Sequence, residues 1–363
     1  MVLHLKPGGS LLMQLSEIDT PALLLDLDAM ERNLAKMAGF FSAGSTRLRP
    51  HYKNHKCPAL ARRQIDAGAI GMTCATLAEA EALVANGIGN VLVSSEIAGH
   101  RKIQRFIDIC RHADVIAIVD NAKAARALGA AGREKGCRIG VLVDINVGQN
   151  RTGVRPGEPA LELARQVVGE GLWLRGLMGY EGHVAHMQEG PEKESAYDLA
   201  MNALMQSRCL LEQNGIPIEI VSTGGTGTHH LTPRFPGITE FQAGSYLVMD
   251  AEYRTTHTGF ELALTVLGTV ISVTERERVV VDAGLKSISG EHGLPVIKSH
   301  TGLRFKKLNA EHGIIDVLGP GLSLTPGETV EIWPQYSDAT INLHDRMYGV
   351  RNGEVEEVLK LQG

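Results

Sequence analysis

The sequence predicts an α/β protein: a closed (β/α)₈ TIM-type barrel joined to a C-terminal all-β domain. Three observations carry that expectation. From about residue 20 to 250 one unit recurs, a short β-rich run, a loop and an amphipathic helical run. Strands alternating with helices imply a parallel sheet, and eight such units in succession favour closure over an open doubly wound sheet. Beyond about residue 255 the helical period gives way to β-branched alternation and turns.

In chain order, the apolar run Ala22–Asp26 follows Asp19-Thr20-Pro21 and precedes a helical pattern over 27–40. With the barrel count filled by later strands, this run is expected in the second domain. Leu48 and its neighbours form the first barrel strand. The next seven are read over 70–73, 91–94, 115–119, 139–145, 174–180, 218–222 and 239–242. Helical patterns cover 77–86, 101–111, 121–136, 160–169 and 194–215. Several close on glycine (Gly87, Gly136, Gly215), which takes the left-handed C-terminal conformation at little cost. A Rossmann sheet would need G-x-G-x-x-G straight after its first strand, and nothing there supplies it. Past the barrel, 262–273, 278–282, 313–317 and Thr329–Trp333 read as strands, the last preceded by Pro326-Gly327. Helical patterns vanish there. The expected division is a barrel over 27–255 and a β-domain built from 1–26 and 256–363.

A chain of 363 residues accommodates about two domains. Apolar content of 44% and charged content of 21% belong to an ordinary soluble globular protein. A net charge of -5 leaves no basic footprint for nucleic acid or an anionic membrane. The cysteines at 57, 74, 110, 137 and 209 are scattered, with no C-x-x-C pair. That points to a reducing compartment and away from a disulfide scaffold or a thiolate zinc site. Leu11-Leu12-Met13 is too short for a secretory signal, and no apolar segment reaches membrane-spanning length. A cytoplasmic location is expected.

Catalytic groups of this barrel class come from the C-terminal ends of strands. Arg49-Pro50-His51-Tyr52-Lys53-Asn54-His55-Lys56 follows the first strand, with two lysines and two histidines in six positions. Clustered cations raise each other's cost of protonation, which lowers a lysine pKa and frees its lone pair. Imine chemistry on a carbonyl requires such a lysine; a solvated basic loop is the plainer alternative. Asn150-Arg151 follows the fifth strand, and Tyr180-Glu181-Gly182-His183 with His186 the sixth. Thr223-Gly224-Gly225-Thr226-Gly227-Thr228 follows the seventh, and Gly244-Ser245-Tyr246 the eighth. A glycine-rich turn is usually only a turn. Here its N–H groups could approach a phosphate, and Gly244-Ser245 would complete the cup often built after strands seven and eight. A phosphate cup facing an imine-competent lysine is the layout of a pyridoxal phosphate site.

Five motifs occur in order: Arg-Pro-His-x-Lys-x-His-Lys, Val-Gly-Gln-x-Arg-x-Gly (147–153), Gly-Gly-Thr-Gly (224–227), Gln-Ala-Gly-Ser-Tyr-x-x-Met-Asp (242–250) and Asp-Ala-Gly-Leu-Lys-Ser (282–287). Together they resemble the D-threonine aldolase / D-serine dehydratase family of fold-type III pyridoxal phosphate enzymes, relatives of alanine racemase. The resemblance runs from about Asp19 to the C-terminus. It implies that Lys53 is the Schiff-base lysine and that Arg151 lies beside the cofactor's phenolic oxygen, with Tyr180 beside the ring. It likewise assigns phosphate and ring contacts to Thr223, Gly224, Gly225, Thr226, Gly227, Gly244, Ser245 and Tyr246. His51, counted with the cofactor contacts, and His55 are expected to position the lysine turn. His186 falls where the aldolases carry a histidine at the substrate hydroxyl; a surface histidine in an irregular loop is the alternative. A homodimer is implied, the β-domain of one subunit near the barrel mouth of another.

The resemblance also implies a divalent metal (manganese, magnesium or zinc) held by His-x-Asp or His-x-Cys just before Thr-x-Asn-Leu. Thr340-Ile341-Asn342-Leu343 is present and Asp338 supplies the carboxylate, but Tyr336 replaces the expected histidine. A phenol is a far poorer ligand than imidazole. The metal is weakened, lost or held by another group. The expected activity is retro-aldol cleavage of a D-β-hydroxy-α-amino acid to glycine and an aldehyde, Asp rather than Cys at 338 resembling the aldolases. A dehydratase of the D-serine or 3-hydroxyaspartate type, a metal-free racemase or glycyl transferase, and a non-catalytic carrier of the cofactor are the alternatives.

Overall fold

The computed structural model describes residues 13–256, 259–274, 278–298, 300, 302–318 and 324–363; Leu11 and Leu12 of the N-terminal apolar run lie outside them. The chain divides into two compact units, one of residues 36–53 and 58–244, the other of residues 13–35, 54–57 and 245–362.

The first unit is the expected barrel. Its eight strands are Arg47–Leu48, Met72–Cys74, Asn90–Val93, Asp114–Val119, Gly140–Asp144, Trp173–Gly179, Ile220–Thr223 and Glu240–Phe241. Every neighbouring pair is parallel, from the second strand round to the eighth and from the eighth to the first. Closure between the first and second comes from Ile70 N–H to Leu48 O at 3.0 Å, Thr73 N–H to Pro50 O at 2.8 Å and Tyr52 N–H to Thr73 O at 2.7 Å.

Burial on both faces explains why these strands read as continuous apolar runs. Leu92, Ile116, Ile118, Leu142, Met178 and Ile220 form one buried cluster, while Val91, Val115, Ala117, Val119, Val141 and Val143 pack with the helices in another. Period-two alternation thus sorts each strand into an interior set and a helix-facing set. The helices include Leu77–Ala85 and Ala122–Lys135. Thr76 and Asn121 cap their N-termini, accepting from Glu79 N–H and Ala124 N–H, as short polar side chains do for otherwise unpaired donors.

Among the described residues the second unit is built on an antiparallel sheet with one parallel pairing. Ala22–Asp26 lies between Leu264–Thr274, antiparallel, and Arg346–Arg351, parallel. Leu264–Thr274 also pairs with Thr329–Trp333 and, further along, with Arg278–Val281. The expectation that helices vanish beyond 255 needs correction, because Ser337–Ile341 is a short helix. It holds only five residues, less than the repeat on which an amphipathic pattern depends.

Candidate active site

Five of the polar strand ends seen in the sequence are neighbours around the barrel. The sheet runs first, eighth, seventh, sixth, fifth strand, which sets Lys53, Gly244, the 223–228 loop, Tyr180 and Arg151 at consecutive positions.

Lys53 is half-buried on a turn that its neighbours fix. His51 Nδ1 accepts the Lys53 backbone N–H at 3.3 Å, and His51 Nε2 meets Ser94 Oγ at 3.2 Å. Ser94 gives its one hydroxyl proton to Cys74 O at 3.1 Å. The network therefore assigns the neutral imidazole with its proton on Nε2. His51 acts here on the backbone of the turn. His55 is buried and accepts the Cys57 N–H at 3.1 Å, a local turn contact of the other unit.

Arg151 is exposed, its guanidinium carbon 5.5 Å from the Tyr180 ring centroid. Asn146 shapes the loop that carries it: its Oδ1 accepts from Gly148 N–H and Asn150 N–H, both at 3.1 Å. Asp144, at the end of the fifth strand, ties down the far side. Its Oδ2 accepts from Thr152 Oγ1 at 2.8 Å and its carbonyl from Val154 N–H at 2.9 Å. Burial pushes the Asp144 carboxyl up to about 7; the Thr152 hydroxyl opposes this, and the charges of Glu96 and Asp120 add to it. An acid with a folded-state pKa above its unfolded value of about 3.9 contributes stability below that value and loses it as pH rises through the folded pKa. Between about pH 4 and pH 7 the contribution of Asp144 therefore declines. In Asp144→Asn, the gap between urea midpoints at pH 5 and pH 7.5 is expected to shrink relative to wild type; an unchanged gap would contradict the assignment.

The 223–228 loop is buried throughout. Gly224 has φ +98°, and a Cβ there would lie 2.1 Å from the Phe241 ring; a Cβ on Gly227 would lie 2.0 Å from Ala185 O. Only glycine permits both approaches. Thr226 opens the 3₁₀ helix Thr226–Arg234, so its first-turn N–H groups face outward from a helix start. Tyr180 borders the loop, 3.5 Å from where a Gly225 Cβ would stand. Glu181 reaches under it. Fully buried, its carboxyl meets Thr223 Oγ1 at 2.7 Å, Thr228 Oγ1 at 2.6 Å and Gly224 N–H at 3.2 Å. Burial raises its pKa, against the opposing pull of the Thr228 and Thr223 hydroxyls. His186 is exposed at the C-terminal cap of the short helix Gly182–Ala185.

In the second unit, Ser245 and Tyr246 open the 3₁₀ turn Ser245–Leu247, Tyr246 buried with its ring 5.8 Å from Phe260. Asp250 organises the 336–338 segment, accepting from Ser337 N–H at 3.0 Å and Ser337 Oγ at 2.9 Å. Burial pushes Asp250 up to about 6, with the Tyr253 and Ser337 donors opposing. Asn54, next in the chain to Lys53, donates to Asp338 Oδ1 at 2.5 Å, and Tyr336 donates to Oδ2 at 3.5 Å.

The sequence places Glu181 at a polar strand end without assigning it a role, and does not single out Asp144, Asn146 and Ser94 at all. All but Glu181 lie within stretches that read simply as strand or loop, and burial of a carboxylate leaves no local pattern.

Polar side chains gathered at one end of a packed parallel barrel are the form of an enzyme, and residues 25–252 place it in the class of the alanine racemase N-terminal domain. Residues 263–350 match a putative serine dehydratase domain. The chain is 36% identical over 352 residues to a D-threonine aldolase of an Arthrobacter species, covering 96% of this chain and 93% of that protein. The D-threonine aldolase structure from Filomicrobium marinum superposes with a TM-score of 0.93 at 38% identity, covering 96% of both chains. The D-threo-3-hydroxyaspartate dehydratase of Delftia sp. HT23 gives 0.90 at 29% identity, covering 96% of this chain and 98% of that one. The protein belongs to the D-threonine aldolase / D-serine dehydratase-like family and is a lyase. Among the described residues no helix is long and apolar enough to cross a membrane.

Proposed function

We propose that the protein cleaves a D-β-hydroxy-α-amino acid of the D-threonine type to glycine and an aldehyde, with pyridoxal 5′-phosphate as cofactor. One observation carries this reading: Lys53, Gly244, the 223–228 loop, Tyr180 and Arg151 occupy five consecutive strand ends, in a chain 36% identical to a D-threonine aldolase.

The residues fit the cofactor. The loop between Phe241 and Ala185 is too close-packed for any side chain at 224 or 227, which leaves its N–H groups to approach a phosphate. When bound, pyridoxal phosphate supplies an electron sink for bond cleavage at Cα. Lys53 would hold it through the ε-amine, which would also supply the group that moves a proton at the substrate Cα. His51 keeps the Lys53 turn in register. Arg151 would offset charge on the phenolic oxygen, Tyr180 would border the ring, and Thr223 to Gly227 with Gly244 would hold the phosphate, Ser245 and Tyr246 following Gly244 in the chain. His186 accepts the β-hydroxyl proton.

A divalent cation does not fit the residues present. Asp338 has an amide hydrogen of Asn54 on one oxygen and the Tyr336 phenol on the other. A phenol with pKa of about 10 stays protonated near neutrality and is a poor ligand. No step of the reaction is therefore assigned to a metal.

Likeness to the Delftia dehydratase favours a second reading, in which Lys53 takes the α-proton and the β-hydroxyl leaves. Incubation with D-threonine, D-phenylserine and D-3-hydroxyaspartate separates the two. Glycine is expected, and its formation should survive a chelator. A 2-oxo acid instead would install the dehydratase reading, and neither product would leave a cofactor carrier. Loss of activity on chelation, restored by manganese, would overturn the metal-free assignment.

A further inference from the structure

Glu181 has no part in the chemistry above, yet it is a fully buried carboxyl at the end of the sixth strand. Its surroundings decide its protonation by counting hydrogens. Thr223 Oγ1 lies 2.5 Å from Gly179 O and 2.7 Å from Glu181 Oε2. A hydroxyl has one proton, and a carbonyl oxygen has none to give. If Thr223 donates to Gly179, an ionised Glu181 would set two bare oxygens against each other at 2.7 Å. If Thr223 donates to Glu181, the same clash falls on Gly179 at 2.5 Å. A carboxylic acid resolves both: Glu181 Oε2–H donates to Thr223, and Thr223 donates to Gly179. Of the remaining contacts, Oε2 can still accept Gly224 N–H at 3.2 Å and Oε1 accepts Thr228 Oγ1 at 2.6 Å, which leaves only the longer Thr228 Oγ1–Gly225 O approach at 3.2 Å without a proton.

These partners are the first, second and last residues of the 223–228 loop. We propose that Glu181 is the positioning residue of that loop, a neutral carboxylic acid whose bonds to Thr223, Gly224 and Thr228 hold the turn that presents its N–H groups. What the loop grips rests on the pyridoxal phosphate reading; how the loop is held does not.

The test compares wild type, E181Q and E181A, loaded with pyridoxal phosphate, by hydrogen exchange across residues 223–228 and by cofactor dissociation constant. Glutamine keeps the donor to Thr223 and the acceptor for Thr228 but cannot accept Gly224 N–H, so E181Q should fall between wild type and E181A in both. E181A should exchange and release cofactor about tenfold more readily, the scale of one or two lost buried hydrogen bonds. An E181A indistinguishable from wild type would overturn the proposal, as would an infrared difference between wild type and E181Q that carries only a carboxylate band. Should E181A fail to fold, the infrared difference between wild type and E181Q decides: a protonated carboxyl C=O stretch is expected, and a carboxylate band alone overturns it. Wild type that binds no pyridoxal phosphate would sink the cofactor reading, while exchange in the unloaded proteins would still judge Glu181.

Discussion

Lys53→Ala is expected to lose the absorbance near the edge of the visible that marks an imine-linked pyridoxal phosphate, and with it the lyase activity. Loss of its proton transfer alone should cost about 10²- to 10⁴-fold in rate, and loss of the covalent anchor adds to that. The fold should hardly notice. The turn around Lys53 is carried by backbone bonds, Tyr52 N–H to Thr73 O and His51 N–H to Ala243 O, and by His51, whose ring accepts the Lys53 N–H whatever side chain follows. A denaturation midpoint close to wild type with no absorbance and no glycine is the expected combination. A retained band would contradict the assignment of Lys53, and an unfolded variant would show that the turn depends on the side chain itself.

Arg49→Met should destabilise the barrel far more than loss of a surface ion pair would. Arg49 and Glu240 are 1% and 5% exposed, and they meet as a two-point fork, Nε to Oε2 at 2.9 Å and Nη2 to Oε1 at 2.6 Å. A third bond, Nη1 to Asn90 Oδ1 at 2.8 Å, extends the link to the third strand. Removing one member of a buried ion pair leaves an uncompensated charge, at about 3–5 kcal/mol. Replacing both members with apolar residues of similar volume is often nearly neutral. Arg49→Met alone should therefore show a large fall in urea midpoint, and Arg49→Met with Glu240→Leu should recover much of it. A single-variant loss below about 1 kcal/mol, the scale of a solvated surface pair, would contradict this account.

Arg49 also shows where the sequence stops being informative. It opens the basic octet, and next to His51, Lys53 and Lys56 it reads as one more solvated cation. Its partner lies 191 positions away, at a distance no local pattern spans. The same holds for Glu181, which reads as a member of a polar strand end. Parallel strands were legible because burial on both faces makes them apolar along their length, and each of the eight is found within a few residues of its expected place. Leu303–Leu308 was not seen for the opposite reason. Its ladder slips between Phe305 and Lys307, so buried Leu303, Phe305 and Leu308 are spaced by two and then three, and the alternation that would announce a strand is broken. The candidate site divides along the same line: glycines, lysine and tyrosine announced themselves at strand ends, while the buried acids that hold the loops did not.

The position of Ala22–Asp26 has a consequence for synthesis. Its neighbours in the sheet are Leu264–Thr274 and Arg346–Arg351, both translated long after it. At about 5–20 residues per second, the nascent chain carries Leu23, Leu24 and Leu25, all buried when folded, for roughly 10–50 s before the first neighbour leaves the ribosome. During that interval a sticky edge waits for a partner not yet made, so a chaperone bound near the N-terminus should improve the yield of this protein more than one acting on the finished polypeptide.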